Sequence, residues 1–148
     1  LWIFQANRNV SADENQRVQQ YMREFLQDWN AHGTQLRAAT EIRYDRFLIV
    51  AADEAVTQAS GCSIDSMFRA VRSLGDELGV DFFDRTQIAY REAAGEPLQT
   101  VLLSDFEALA TQMDADTMVV FNNLIEVKSA LADQWETTIA KSWHKNLL

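Results

Sequence analysis

The sequence predicts an α+β fold: a ferredoxin-like βαββαβ core over residues 1–93, followed by a small C-terminal α/β appendage over residues 94–148. Segments with strand-type alternation and segments with helical periodicity follow one another in the order β-α-β-β-α-β as far as residue 93, and this order is typical of the split βαβ arrangement. No linker rich in proline, glycine or serine separates the two parts. We therefore expect two lobes of a single domain.

The first strand and the first helix have clear local signals. Strand-forming residues predict a strand over Leu1–Asn7. Ser11 and Glu14 then have the S-x-x-E spacing of a capping box, which marks the start of a helix. Apolar residues recur every three or four positions at Val18, Met22, Phe25 and Trp29. We expect Gly33 to end this helix.

The middle of the chain predicts a strand pair and a second helix. A tight turn near Tyr44–Arg46 separates an alternating strand from Phe47–Ala52, which is continuously apolar as in a central strand. Cys62 lies at the start of the following helix, and Gly79 is its natural C-terminal stop. Gln87–Glu92 (QIAYRE) then reads as the last strand of the core.

The appendage is predicted from weaker patterns. LQTVLL (residues 98–103) reads as a strand, and Ser104 with Glu107 repeats the capping-box spacing. A hairpin is expected about Asn122–Asn123, because asparagine tolerates the positive φ of a type I′ turn. The residues that mark a last helix by their spacing are Leu131, Trp135 and Ile139.

Composition and charge exclude several classes of protein. The formal net charge is −9, so phosphate backbones and anionic lipids should be repelled, and we expect no nucleic-acid partner. No apolar run approaches the roughly 20 residues of a membrane helix. The opening residues lack a cleavage pattern, so we expect a strand there and not a signal peptide. A single cysteine excludes an internal disulfide, which fits a soluble protein in the reducing cytoplasm.

The motifs that bind common cofactors are absent from the sequence. None of the five glycines is followed by the lysine and hydroxyl residue of a phosphate-binding loop, and no two glycines have the spacing of the dinucleotide fingerprint. The stretch from Asp114 begins like a calcium loop but continues with apolar residues where oxygen ligands are required. One cysteine and two distant histidines make a zinc site improbable. We therefore expect no cofactor and no metal.

Cys62 is the candidate catalytic residue, because a helix N-terminus favours the thiolate and can stabilise an oxyanion. A nucleophilic thiol needs a base, for which His144 is the first candidate and His32 the second. The alternative is that Cys62 is a small, buried and unreactive residue, since free cysteine is among the most buried residue types.

A second group of polar residues predicts a ligand site. Gln5, Asn7 and Arg8 end the first strand and could line a pocket with Arg46 or Arg91, because the guanidinium group suits carboxylate or phosphate recognition. Two alternatives are a strand that runs out into solvent and arginines that pair with nearby carboxylates at the surface.

Several short segments of the sequence resemble those of a family of small bacterial proteins that often carry the label ABC transporter ATPase. They are LWIFQANR, FLIVAADE, SGCSID, GVDFFDR and the terminal KSWH, and they extend over almost the whole chain. The resemblance implies no catalytic residue and no cofactor. Lys141 stands where the family pattern has aspartate. Because the chain lacks the phosphate-binding loop, nucleotide hydrolysis ranks last among the functions considered.

The sequence thus favours a non-enzymatic cytoplasmic protein that binds a small ligand or a protein partner, with a homodimer as one possibility. This expectation follows from the missing catalytic motifs and from the edge strands of the expected fold, which commonly serve association. The alternative is a thiol-dependent enzyme or redox sensor that uses Cys62.

Overall fold

The computed structural model describes all 148 residues and has a mixed α+β architecture. The chain divides into two compact units, which comprise residues 1–84 and 85–148. Each unit has its own antiparallel sheet. None of the helices combines the length and the apolar character needed to cross a bilayer.

Unit 1 contains a three-stranded sheet with β5 in its centre. The elements of this unit are β1 (Trp2–Gln5), α1 (Ala12–Gln27), β2 (Asn30–Ala31), β3 (Thr34–Gln35), β4 (Arg37–Arg43), β5 (Phe47–Asp53) and α2 (Gly61–Leu78). The strand order is β1-β5-β4, with both pairs antiparallel. Strands β2 and β3 form a separate hairpin. β4 therefore has only one strand neighbour.

The two helices of unit 1 bury their apolar sides in one core with the sheet. Val18 and Met22 of α1, Met67 and Val71 of α2, and Leu48 of β5 belong to this cluster. Phe82 and Phe83, which follow α2, also pack against the core. A single layer of helices thus covers the sheet face that Leu48 occupies.

The first helix begins as predicted but ends earlier. Ser11 Oγ accepts a hydrogen bond from the Glu14 amide at 3.1 Å, and Glu14 reaches back to the Ser11 amide at 2.9 Å, so the capping box is confirmed. The helix stops at Gln27, and the prediction that it continues to Gly33 is wrong. Gly33 lies in the β2–β3 turn with a φ of 77°, a conformation that suits glycine.

The other predictions for unit 1 have mixed outcomes. Two predictions are confirmed: the turn at Tyr44–Arg46 and the helix end at Gly79. The Gly79 backbone is in the left-handed region, with a φ of 66°. The fourth strand expected in the core, Gln87–Arg91, pairs within the sheet of unit 2. The strand order consequently does not confirm the ferredoxin-like arrangement, while the α+β class holds.

Unit 2 contains a four-stranded antiparallel sheet and several short helical segments. Its elements are β6 (Gln87–Arg91), β7 (Gln99–Leu102), α3 (Phe106–Ala110), β8 (Val119–Phe121), β9 (Glu136–Thr138) and 3₁₀ segments at Leu103–Asp105, Lys128–Ala132, Ile139–Lys141 and Trp143–Leu147. The strand order is β7-β6-β8-β9. A core that includes Ile88, Phe106 and Val120 lies within this unit.

Three predictions for unit 2 are wrong. The Ser104 capping box does not form, because α3 begins after Asp105 without any side-chain cap. No hairpin turns at Asn122–Asn123, since β8 pairs with β9 and sets Phe121 opposite Glu136. The expected last helix is replaced by β9 and 3₁₀ segments, which agrees with the strand preference of the consecutive threonines in β9.

Candidate functional site

Cys62 lies in the first turn of α2, which begins after a second capping box. The Ser63 amide donates to Ser60 Oγ at 3.1 Å, and Ser63 Oγ accepts from the Ser60 amide at 2.7 Å. These bonds fix the start of the helix immediately around the cysteine. Cys62 itself is exposed, so the alternative that it is a buried packing residue is wrong.

A cleft of about 510 Å³ in unit 1 brings Cys62 together with His32. His32 stands in the β2–β3 turn with a φ of 52°, and it was the second candidate for the base. The carboxylates of Glu24 and Asp28, from the last part of α1 and its C-cap, line the same cleft. No group of residues in the structure has an arrangement suited to a metal ion. The cleft therefore combines a thiol, an imidazole and two carboxylates without a metal site.

His144, the first candidate for the base, is buried in unit 2. Its exposed fraction is 3%, its Nδ1 lies 2.7 Å from Ser142 Oγ, and its ring stacks on Trp143 at 4.0 Å. Burial lowers the pKa of His144 to about 4. The imidazole is therefore neutral near pH 7 and already engaged by a serine hydroxyl. Cys62 belongs to the other unit, and the pairing with His144 remains a prediction.

Arg46 holds the segment that follows β1. The side chain is only 8% exposed, and its guanidinium donates three hydrogen bonds of 3.1 Å to the Ala6 carbonyl, the Asn7 carbonyl and Asn9 Oδ1. Burial lowers the pKa of Arg46. These three hydrogen bonds are thus directed at two backbone carbonyls and one side-chain amide of the protein itself.

Other polar side chains near the end of β1 also make hydrogen bonds to groups of the protein. Gln5 is buried, and Asn7 Oδ1 accepts from the Asp81 amide at 2.9 Å. Both terminal nitrogens of Arg8 donate hydrogen bonds to the Glu14 carboxylate at 2.8 Å, and Nη2 also donates to the Leu78 carbonyl at 3.0 Å. The bond from Arg8 lowers the pKa of Glu14 to about 2. These contacts join the chain after β1 to both helices.

Arg91, the remaining residue of the predicted ligand site, lies in unit 2. Its Nε donates to Glu136 at 2.6 Å, and Nη1 donates to the Glu96 carbonyl at 2.5 Å. The structure thus places Asn7, Arg8 and Arg46 in one region of unit 1 and Arg91 in the other unit. Their role in ligand binding stays a prediction, while their contacts to protein groups are evident.

A groove between α1 and β4, which sequence reasoning missed, has a volume of about 1080 Å³. Its lining residues are Gln19, Arg23, Leu26 and Gln27 of α1 together with the continuous run 35–42. Side chains of a strand alternate between two faces, so a wall that includes every residue of a run follows the strand's edge and not one face. We call this feature the β4 groove.

The backbone along the β4 groove is open to a partner. β4 pairs with β5 alone, so alternate residues direct their N–H and C=O groups away from the sheet. No residue of β4 is buried. A free sheet edge is a ready template for pairing with another strand.

The charged side chains in the β4 groove leave a positive excess. Arg23 and Arg37 line the groove and make no ion pair in the structure, whereas Glu41 is paired with Arg43. The sequence showed the arginines and the alternation of this strand. It did not show that the strand lies at an edge, because strand order depends on pairing between distant segments.

No protein-family model matches the chain, and no curated protein or solved structure matches it either. The function therefore has to be inferred from the β4 groove and the Cys62 cleft.

Proposed function

We propose that this protein is a non-enzymatic binding protein and that unit 1 binds an extended segment of a partner protein along the free edge of β4. The observation that supports this proposal is the continuous run of residues 35–42 along one wall of the β4 groove. Strand addition to an exposed edge is a recurrent mode of peptide recognition, in which main-chain hydrogen bonds supply affinity and side-chain contacts supply specificity.

Both walls of the groove contribute to the proposed binding. Main-chain hydrogen bonds along β4 contribute about 0.5–1.5 kcal/mol each. On the opposite wall Leu26 offers an apolar contact, and Gln19 and Gln27 offer amides. Because a flexible peptide loses conformational entropy on ordering, we expect a dissociation constant in the micromolar range or weaker.

A partner protein fits the groove better than a second copy of this chain. A second β4 strand would carry Arg37 and Arg43 with only Glu41 to offset them, so it would add positive charge to a groove that already has an excess. Like charges across paired strands are destabilising. The competing hypothesis is a homodimer in which two β4 edges pair, and the experiment described next distinguishes it from peptide binding.

The experiment is a selection of linear twelve-residue peptides from a displayed random library, followed by amide NMR of the isotope-labelled protein. We expect selected peptides to shift the amide signals of residues 35–42 more than those elsewhere. Peptide binding that leaves these signals unchanged would refute the site. A concentration-dependent dimer in light scattering, with the same amides shifted and no peptide selected, would replace the peptide by a second copy.

A pair of proline variants tests strand addition directly. Consecutive residues of β4 point their amides to opposite sides, so of Ala39→Pro and Thr40→Pro one removes a donor to β5 and the other a donor at the free edge. We expect one variant to be destabilised and the other to stay folded but lose peptide binding. Two folded variants that both bind would contradict strand addition. Ala55→Pro in the loop after β5 is the control for a proline at an exposed alanine, and it removes only the local hydrogen bond from the Ala55 amide to Asp53 Oδ1.

A thiol-dependent function is the second candidate, favoured by the exposure of Cys62 and by its shared cleft with His32. Alkylation of a thiol by iodoacetamide forms one C–S bond and releases iodide and a proton, and Cys62 is the only thiol of the chain. If His32 assists as a base, His32→Gln should slow alkylation near neutral pH, while Cys62→Ser should abolish it. Equal rates in the parent and in His32→Gln would refute assistance by His32, and His144→Gln tests the other pairing. We also propose that the protein works in the reducing cytoplasm, which the single free cysteine supports.

A further inference from the structure

We infer that the segment bound in the β4 groove is acidic and carries two carboxylates on opposite faces of its strand, separated by an odd number of positions. This inference rests on the proposed strand addition and names the chemistry of the partner. It is carried by Arg23, Arg37 and the direction in which α1 crosses β4.

The first step is the local charge of the groove. Arg23 and Arg37 make no ion pair in the structure, although Asp53 lies opposite Arg37 across the β4–β5 pair, and the one carboxylate that lines the groove, Glu41, is already paired with Arg43. The whole chain has a formal net charge of −9. The groove is therefore a locally positive site on an acidic molecule, and its complement is an acidic segment.

The second step is the alignment of the two walls. Gln35 Nε2 donates to the Gln27 carbonyl at 2.8 Å, which fixes the C-terminal end of α1 beside the residues that precede β4. Arg23 lies one turn earlier in α1, so it stands farther along β4 than Arg37, the first residue of that strand.

The third step is the face on which each arginine lies. Ala38 and Ile42 pack against the core that α1 and α2 share with the sheet, so the even-numbered residues of β4 point toward the helices. Arg37 therefore belongs to the opposite face, whereas Arg23 projects from the helical side. An added strand would meet the two arginines on its two different faces.

The consequence is a spacing rule for the partner. Because successive side chains of a strand alternate, carboxylates that reach opposite faces are an odd number of positions apart. The face toward α1 would also carry an apolar residue near Leu26. A segment with this pattern satisfies both arginines, while one with evenly spaced carboxylates satisfies only one.

The test uses three synthetic peptides of about ten residues, built from alternating valine and threonine, whose binding is followed by fluorescence anisotropy at about 0.15 M salt, where a Debye length of about 8 Å screens the net charge of the chain. One carries two glutamates at positions i and i+3, one carries them at i and i+2, and one has glutamine in both places. An exposed ion pair is worth about 0.2–1 kcal/mol, so with two pairs we expect the i, i+3 peptide to bind about 2- to 30-fold tighter than the glutamine peptide. The i, i+2 peptide should show the smaller gain of a single pair.

Charge-reversal variants assign each carboxylate to its arginine. Arg23→Glu and Arg37→Glu should each remove the advantage of one glutamate, and a peptide with lysine at that position should restore it. The matched control is Arg69→Glu, since Arg69 is an exposed arginine of α2 that does not line the groove. A loss of the advantage in this control equal to that in the groove variants would refute the assignment.

The outcomes separate this inference from the proposed function. If the glutamine peptide shifts the NMR signals of the β4 amides and the acidic peptides bind no more tightly, the acidic pattern is refuted and strand addition stands. If the i, i+2 peptide binds best, the two arginines act on one face and the spacing rule is refuted. If no peptide shifts the β4 amides, both proposals fail together. Binding of a single-stranded oligonucleotide in place of the acidic peptides would replace the protein partner by a nucleic acid.

Discussion

Arg46 places its guanidinium where three oxygen acceptors of the segment after β1 converge. We expect Arg46→Ala to lower the free energy of unfolding by about 1–3 kcal/mol, because the buried Ala6 carbonyl and two partly buried acceptors would lose their donor. Urea denaturation measures this loss. Arg46→Lys should recover only part of it, since an ammonium cannot reproduce the planar fork. Arg69→Ala, at an exposed position, is the control, and an equal loss there would contradict the role given to Arg46.

His144 should make the stability of the protein depend on pH. Burial lowers the pKa of His144 from 6.5 to about 4, so between these values the unfolded chain binds a proton that the folded chain does not. The free energy of unfolding therefore falls as the pH decreases from about 7, by about 2 kcal/mol at pH 5, and the contribution of His144 is constant at higher pH. Urea denaturation at several pH values measures the slope.

The variant His144→Gln separates this effect from other titrations. We expect its stability to be flatter between about pH 7 and pH 5 than that of the parent, whatever its absolute value. A variant with the same slope as the parent would show that His144 does not titrate differently in the folded and unfolded chains.

Residue-level prediction succeeded where a signal was local. The position of Cys62 at a helix start followed from its neighbours, and the capping serine confirmed it. Its exposure did not follow, because exposure depends on what packs over the helix terminus. Arg23 and Arg37 were visible as arginines, but their shared groove depends on the crossing of α1 over an edge strand.

Within α2, Gly75 should reverse the usual effect of a glycine-to-alanine substitution. In a helix interior such a change normally stabilises by about 0.5–1 kcal/mol. A Cβ at Gly75, however, would lie 2.4 Å from the Val80 carbonyl oxygen, where the chain folds back after the helix. We expect Gly75→Ala to cost about 1–3 kcal/mol in thermal or urea unfolding, because backbone has to move.

Gly61 is the matched control in the same helix. A Cβ there would meet no atom within 4 Å, and its φ is not in the left-handed region. We expect Gly61→Ala to be neutral or stabilising by up to about 1 kcal/mol. If both glycine variants are equally stable, the close approach of Val80 does not restrict position 75.

At the scale of elements, local signals located where the two helices of unit 1 begin, whereas the helix predicted from the spacing of Leu131, Trp135 and Ile139 did not form and the distant strand pairs were not predicted. The first capping box and Gly79 are short-range features, and both were confirmed. The partner of β8 is β9, which begins at Glu136 after a long connection, and no short-range pattern specifies such a pair. For the same reason the fourth core strand was assigned to the wrong sheet.

Over the whole molecule, the net charge of the chain and the local charge of the β4 groove have opposite effects on the binding of an acidic partner. The formal charge of −9 repels an acidic partner at long range, whereas the two arginines of the β4 groove attract it at contact. Screening separates the two effects, since the Debye length falls from about 30 Å at 0.01 M salt to about 3 Å at 1 M.

The association kinetics of the i, i+3 glutamate peptide should show this opposition. Raising the salt from about 0.02 M to 0.3 M should increase the association rate constant a few-fold, because the repulsion from the whole chain is screened. The dissociation rate constant should also rise, because contact pairs with Arg23 and Arg37 weaken. Stopped-flow fluorescence measures both, and the glutamine peptide is the control, with a nearly constant association rate. An association rate that falls with salt would mean that the positive charge around the groove governs the encounter over the net charge of the chain.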